Sequence, residues 1–249
     1  MRVLSTWRFS AVVVAALVAC VAATASAETA DEVIAKNIKA QGGKDALLGV
    51  KGLERKGDIK VDGTFGQMEG SVKEVSIPWK KAYRSLDLAV FIQDEGFDGT
   101  VAWRNGQMGL QDLEGQEAAQ IKQATDLNPF VKLADRGLKA EKLDDEKVED
   151  VDYYVIQLTG ENRPPVKVYI DKKDDLIART TLTQENPQFG KVDVVLESSD
   201  YEAFGPVKLP TKNKIQLGEL MEIATTYTET KIDGTVDEKV FDKPKEEAK

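Results

Sequence analysis

The sequence has no histidine and a single cysteine, Cys20. Imidazole is the usual general base near neutral pH and the commonest metal ligand. Without it there is no Ser-His-Asp triad, no Cys-His pair and no His-bearing zinc site. One cysteine cannot form a disulfide within the chain, and once Cys20 is removed or lipidated thiol catalysis goes as well. Carboxylate-type and Ser-Lys chemistries stay open. Aromatic residues are scarce, at 7%. The one long apolar run, Ala11 to Ala23, is too short for a permanent membrane-spanning helix.

That run has the layout of an export leader. Met1 to Ser10 carry Arg2 and Arg8, the apolar stretch follows, and Ala25-Ser26-Ala27 is a small-x-small cleavage site. Residues 1–27 therefore read as a signal peptide, with Glu28 opening the mature chain. Leu17-Val18-Ala19-Cys20 also has the form of a lipobox, which would leave the protein tethered to a membrane through lipidated Cys20. Continued apolarity at Val21, Ala22 and Ala23 favours cleavage after Ala27. Loss of Arg2 and Arg8 takes the net charge from −9 to −11. Such a surface repels phosphate backbones and anionic head groups, so neither nucleic acid nor a charged lipid surface is an expected partner.

Residues 28–249 read as one domain, frayed at 244–249. Thr29-Ala30-Asp31-Glu32 is a capping box, and Val33, Ile34 and Ile38 form one helical stripe ended by Gly42-Gly43. Lys44 to Val50 is a second short helix. From Gly52 the period changes to two. Leu53, Arg55, Gly57, Ile59 and Val61 alternate with polar residues. Strands follow at Phe65 to Ile77 and Lys81 to Leu88, and Ala89 to Ile92 extends the latter as a segment buried on both faces. Asp62-Gly63, Asp98-Gly99 and Asn105-Gly106 mark hairpin turns. Glu114 to Arg136 reads as two helical segments, the second begun by Asn128-Pro129 with Phe130, Leu133 and Ala134 on one face. The remainder returns to alternating strands through Thr230. The predicted class is α+β: about ten strands in a curled antiparallel sheet, with helices over its concave face.

Four stretches carry a family likeness: Ile34 to Gly43; Gly96-Phe97-Asp98-Gly99 with Trp103; Tyr201 to Thr211, containing Gly205-Pro206-Val207-Lys208-Leu209-Pro210; and Ile232 to Phe241 with Pro244. On these the chain resembles the LolA/LolB-like superfamily of periplasmic lipoprotein carriers, in particular its outer-membrane lipoprotein-sorting members. The resemblance implies a strongly curved antiparallel half-barrel with helices on its open side, a periplasmic location, and acyl chains or another apolar ligand held between sheet and helices. It implies no catalytic residue and no cofactor. The family's lid-closing arginine has no matching position here.

The apolar positions expected to line such a cavity are Ile59, Met68, Val72, Leu86, Phe91, Trp103, Ile121, Phe130, Leu133, Val168, Val194, Ile215 and Ile223. A Val/Ile/Leu-rich lining suits alkyl chains, which need area and no polar partner. Three features invite other readings. Asp144 to Asp152 is rich in carboxylates but lacks calcium-loop spacing, and reads as a solvated acidic turn. Asp171 to Asp175 reads as a hairpin turn. Asp94 and Glu95, adjacent on a strand, point to opposite faces and make a poor glycosidase pair. The function expected is thus a non-enzymatic carrier or sensor of an apolar ligand. The alternatives are an envelope scaffold with a filled cavity and a protein partner, or a carboxylate-type glycan hydrolase.

Overall fold

The computed structural model describes residues 28–245, apart from 65, 90, 162 and 187–189. The expected leader, Cys20 and the last four residues of the expected tail lie outside them.

Helix α1 (Ala30–Ala40) begins at the expected capping box, with Glu32 N donating to the Thr29 side chain and Thr29 N to the Glu32 carboxylate. It stops at Gly42, whose φ of +121° is open to glycine. A Cβ there would stand 2.2 Å from the Pro206 carbonyl oxygen, so the missing side chain also lets α1 close on that turn. Helix α2 (Lys44–Gly49) follows. Six strands come next: β1 (Leu53–Gly63), β2 (Gly66–Ile77), β3 (Lys81–Asp87), β4 (Ile92–Phe97), β5 (Ala102–Gly106) and β6 (Gly109–Leu113). Helix α3 (Gly115–Gln123) and a 3-10 turn (Ala134–Arg136) interrupt them. Eight more strands complete the sheet: β7 (Leu138–Lys142), β8 (Glu146–Val148), β9 (Val151–Gly160), β10 (Val166–Asp171), β11 (Ile177–Asn186), β12 (Gly190–Phe204), β13 (Val207–Leu217) and β14 (Met221–Ile232). A second 3-10 turn, Glu238–Phe241, is the last element of the described chain.

All the pairings are antiparallel, and the order is β6-β5-β4-β3-β2-β1-β14-β13-β12-β11-β10-β9-β7, with β8 added on β9. The sheet is one 14-stranded body that does not close, since β6 and β7 are both edges. Nor is it flat. On α3, Glu117 accepts from Arg104 of β5 at 2.9 Å, and Gln120 donates to Gln184 of β11 at 3.1 Å. Three helical residues advance about 4.5 Å. In a flat sheet β5 and β11, eight strands apart in this order, would be separated by roughly 38 Å. One short helix bonds to both because the sheet bends round to meet it.

Apolar packing is concentrated on one face. Val33 and Ile34 of α1 join Phe130 against Ile156, Leu158, Val168 and Ile170. Leu47 and Val50 meet Leu53, Val131, Val207 and Leu209. Ala118 and Ile121 of α3 meet Ala102 and Leu113. Each such fully buried aliphatic side chain contributes about 1.5–3 kcal/mol.

Three expectations need correction. The second helical segment, begun at Asn128, is a series of turns. The Asn128 side chain accepts from Phe130 N at 2.8 Å, and Lys132 adopts φ +60°, which no α-helix continues through. Ala89 to Ile92 is not a strand buried on both faces. Ala89 has φ +65° and Leu88 N donates to Phe91 O, so the chain reverses there and returns as β4. Asn105 and Gly106 are the last residues of β5. The two-residue loop is Gln107-Met108, because Gly106 pairs with Gly109.

Candidate functional site

Directly opposed residues in an antiparallel ladder point to the same side of the sheet, so the register sorts the helix-bearing face into transverse rows. One runs Ile156, Val168, Thr180, Leu196, Ile215, Ile223, Val61, Met68. The next runs Leu158, Val166, Leu182, Val194, Leu217, Met221. Both are apolar except for Thr180. Under α1 they are sealed, with Ile156 at 0% and Val168 at 1% exposed. Beyond α1 the same rows stay open: Leu182, Val194, Leu196, Ile215, Leu217, Ile223 and Met68 are each only half-buried. At the β1–β4 end, Ile59, Val61 and Leu88 form a further cluster with Met68, Leu86 and Phe91.

Most of the residues expected at a cavity meet on this face. Ile59, Val72 and Val168 are buried there, and Met68, Leu86, Val194, Ile215 and Ile223 are half-buried. Phe91 reaches the same cluster from the β3–β4 turn. Ile121 comes from α3, and Phe130 and Leu133 come from the turns after it. Trp103 does not belong with them. It opposes Gly96, and Gly96 opposes Tyr83, which places all three on the other face. There its Nε1–H donates to the Phe241 carbonyl at 3.0 Å. A Cβ on Gly96 would come within 2.7 Å of the indole ring, so that glycine makes the space the ring fills. The inward apolar residue of that strand is Ala102, packed under α3.

Leu182, Leu196, Leu217 and Met221 were not singled out from the sequence, although they share the alternation of their strands. A charged row was also missed. Arg55, Glu74, Arg84, Glu95 and Arg104 oppose one another in turn across β1 to β5. The Arg84 guanidinium lies 3.5 Å from Glu74 and 3.8 Å from Glu95, and Arg104 lies 3.4 Å from Glu95. Arg55 stacks on Tyr227, 3.2 Å from the ring centroid, and donates to the Pro210 carbonyl. Tyr227 donates to Glu74 at 2.8 Å. Burial raises the Tyr227 hydroxyl pKa, and the Glu74 carboxylate adds to the rise. Burial pulls Arg104 down, but the Glu117 and Glu95 carboxylates hold it above its ordinary value. Among the described residues the Arg55 Nε–H is buried with no hydrogen-bond acceptor, and the buried Arg84 Nε–H has only the Glu74 carboxylate, at 3.5 Å. A hollow of about 270 Å³ lies between this row and α3, lined by Glu74, Arg84, Glu95, Arg104, Gln120 and Ile121 among others. As expected, Asp94 points away from Glu95 and accepts from the Tyr83 hydroxyl on the other face.

Buried amides fix the turns after α3. Asn128 Nδ2 donates to Asn37 Oδ1 at 2.8 Å and to Gln41 Oε1 at 2.7 Å. Asn37 in turn donates to the Asp175 carbonyl, and Gln41 to that of Leu127. Helix α1, the turns and the β10–β11 hairpin are thereby locked together.

A LolA superfamily protein of Nitrosomonas europaea superposes with a TM-score of 0.59 over 87% of this chain and 99% of its own, at 14% identity. The chain has the LolA-like fold. A DUF1329 family protein of Desulfovibrio piger matches with a TM-score of 0.61 over 87% of this chain and 98% of its own, at 10% identity. A putative outer membrane lipoprotein-sorting protein domain of Vibrio parahaemolyticus gives 0.54 over 85% and 94%, at 10% identity. No protein-family model and no curated protein sequence matches the chain. In this LolA-like sheet the four stretches of family likeness are turn and packing elements. Asp98 accepts from Thr100 N and Val101 N at the hairpin, Gly205 turns at φ +56°, and the Phe241 carbonyl receives Trp103.

Proposed function

We propose that the protein is a non-enzymatic periplasmic carrier or sensor that holds acyl chains on the open apolar rows. It would reach the periplasm after cleavage behind Ala27, with residues 28–249 as a single domain. The observation that carries the reading is the contrast within one row: Ile156 and Val168 are sealed under α1, while Leu196, Ile215 and Ile223 stay half-exposed on the same side of the bent sheet. Half-exposed aliphatic side chains gain by meeting an alkyl chain, at about 0.8 kcal/mol per buried methylene, and ask no polar partner of it. Helix α3, bonded at Arg104 and Gln184, would serve as the cover for such a ligand. The lipoprotein-sorting description of the Vibrio parahaemolyticus domain is in keeping with this reading. The test is mass spectrometry of lipid extracted from protein purified out of its native envelope, with binding of the apolar dye N-phenyl-1-naphthylamine measured in parallel. Acyl lipids in near-stoichiometric amount, displaceable by the dye, are expected. Protein that carries no lipid and binds no dye would end the carrier reading.

A further inference from the structure

The charged row and the apolar rows lie on one face, and along β1 they are six residues apart, Arg55 to Val61. That is about 20 Å of strand, a span on the scale of an extended acyl chain. We infer that the charged row is a head-group site. The ligand is an amphiphile with an anionic head, carboxylate or phosphate, and the Glu117 carboxylate now sits where that head binds Arg104. This inference rests on the carrier reading and adds the chemistry of the ligand's polar end.

The argument starts from charge. On the sheet itself the row holds three arginines and two glutamates. Glu74 is held by Arg84 and the Tyr227 hydroxyl, Glu95 lies between Arg84 and Arg104, and Glu95 is 8% exposed. Glu117 supplies the third negative charge, but it stands on α3, with its side chain 59% exposed. An exposed ion pair contributes little, so Glu117 is the one carboxylate of the set that is readily displaced. Arg104 is held in place by Glu95 and lines the hollow beneath α3, so it presents a pre-positioned guanidinium to an incoming oxyanion.

A second observation points the same way. The Arg84 Nε–H is buried, and the carboxylate oxygen it faces, on Glu74, stands at 3.5 Å, too far for a good hydrogen bond. A buried donor so weakly met is costly, and an oxyanion in the hollow that Arg84 lines offers it a nearer acceptor. Head-group binding also couples to the helix. Displacing Glu117 releases one of the two side-chain hydrogen bonds that join α3 to the sheet among the described residues, and the other is the amide pair of Gln120 and Gln184.

The test uses the full chain and displacement of N-phenyl-1-naphthylamine by dodecanoate, dodecyl phosphate and dodecanol. Both anions are expected to compete about tenfold better than the alcohol, the scale of one charge-assisted hydrogen-bonded contact. Arg104→Gln should collapse that ratio towards one. Glu117→Gln should enlarge it several-fold, and because Glu117 is exposed this variant stands even where Arg104→Gln fails to fold. A preference for dodecanoate alone, or for dodecyl phosphate alone, identifies which head chemistry is taken. Equal displacement by all three, unmoved by Glu117→Gln, overturns the head-group site and leaves the apolar reading intact. Displacement by none of them overturns both.

Discussion

Asn128 Nδ2 donates simultaneously to Asn37 Oδ1 and Gln41 Oε1, at 2.8 and 2.7 Å. That single amide joins the first helix of the domain to the turns that follow α3, across some ninety residues of chain. The group is 1% exposed, and its own Oδ1 accepts from Phe130 N.

Removing it should therefore be expensive. Asn128→Ala strands two buried amide oxygens and one backbone N–H, each worth about 1–3 kcal/mol when left unsatisfied. Allowing for relaxation, a loss of roughly 2–4 kcal/mol is expected in urea unfolding. A loss below about 1 kcal/mol would show that the amide network contributes little.

The open rows make a prediction with the opposite signature. Ile215 is half-buried beside Leu196 and Ile223 and lies outside the sealed part of its row. Ile215→Asn should shift the unfolding midpoint by only a few degrees. Its affinity for the apolar dye should fall at least several-fold. Unchanged dye binding would place the ligand elsewhere.

On the far face the prediction is reversed. Trp103→Phe keeps a ring over Gly96 but loses the hydrogen bond to the Phe241 carbonyl, leaving that oxygen unpaired. A cost of about 1–3 kcal/mol is expected, with dye affinity as in the parent. A variant that lost affinity while keeping its stability would contradict the assignment of Trp103 to the far side.

Asp126 supplies a pH dependence. Burial pushes its carboxyl up to about 6, outweighing the pull of Arg136, Arg163 and Lys132, although Arg136 is 2.7 Å away. The folded pKa is above the unfolded one, so the folded state holds the proton more tightly. The associated stability is fully present below about pH 4 and is lost as the pH rises through 6. Asp126→Asn, neutral throughout, should lack that slope. Thermal unfolding of both proteins from pH 4 to 7 checks this, and parallel curves would refute it.

What the sequence disclosed followed from local chemistry. The Thr29–Glu32 box, the Gly42-Gly43 stop and the Asp98-Gly99 turn each depend on residues within a few positions of one another. Alternation likewise gave the inward set Ile59, Met68, Val194, Ile215 and Ile223. It fails at Trp103, whose indole lies on the far face and donates to the carbonyl of the distant Phe241, while Ala102 faces inward under α3. The charged row was illegible for a similar reason. Arg55, Glu74, Arg84, Glu95 and Arg104 each look like an ordinary polar position in a strand, and only the register across five strands aligns them. The turns after Asn128 kept a helical spacing of apolar residues, while a side-chain capture of backbone and a left-handed Lys132 set the path.

The two borders left unpaired among the described residues, β6 on one side and β7 with β8 on the other, give the molecule a freedom that a sealed cylinder lacks. A closed ring of strands has a girth fixed by its hydrogen-bond ladder. A hoop with a gap can widen or tighten through slight changes in twist, breaking no ladder bond. Cargo of differing bulk, a single slender tail or several together, then becomes a matter of how far the hoop springs apart.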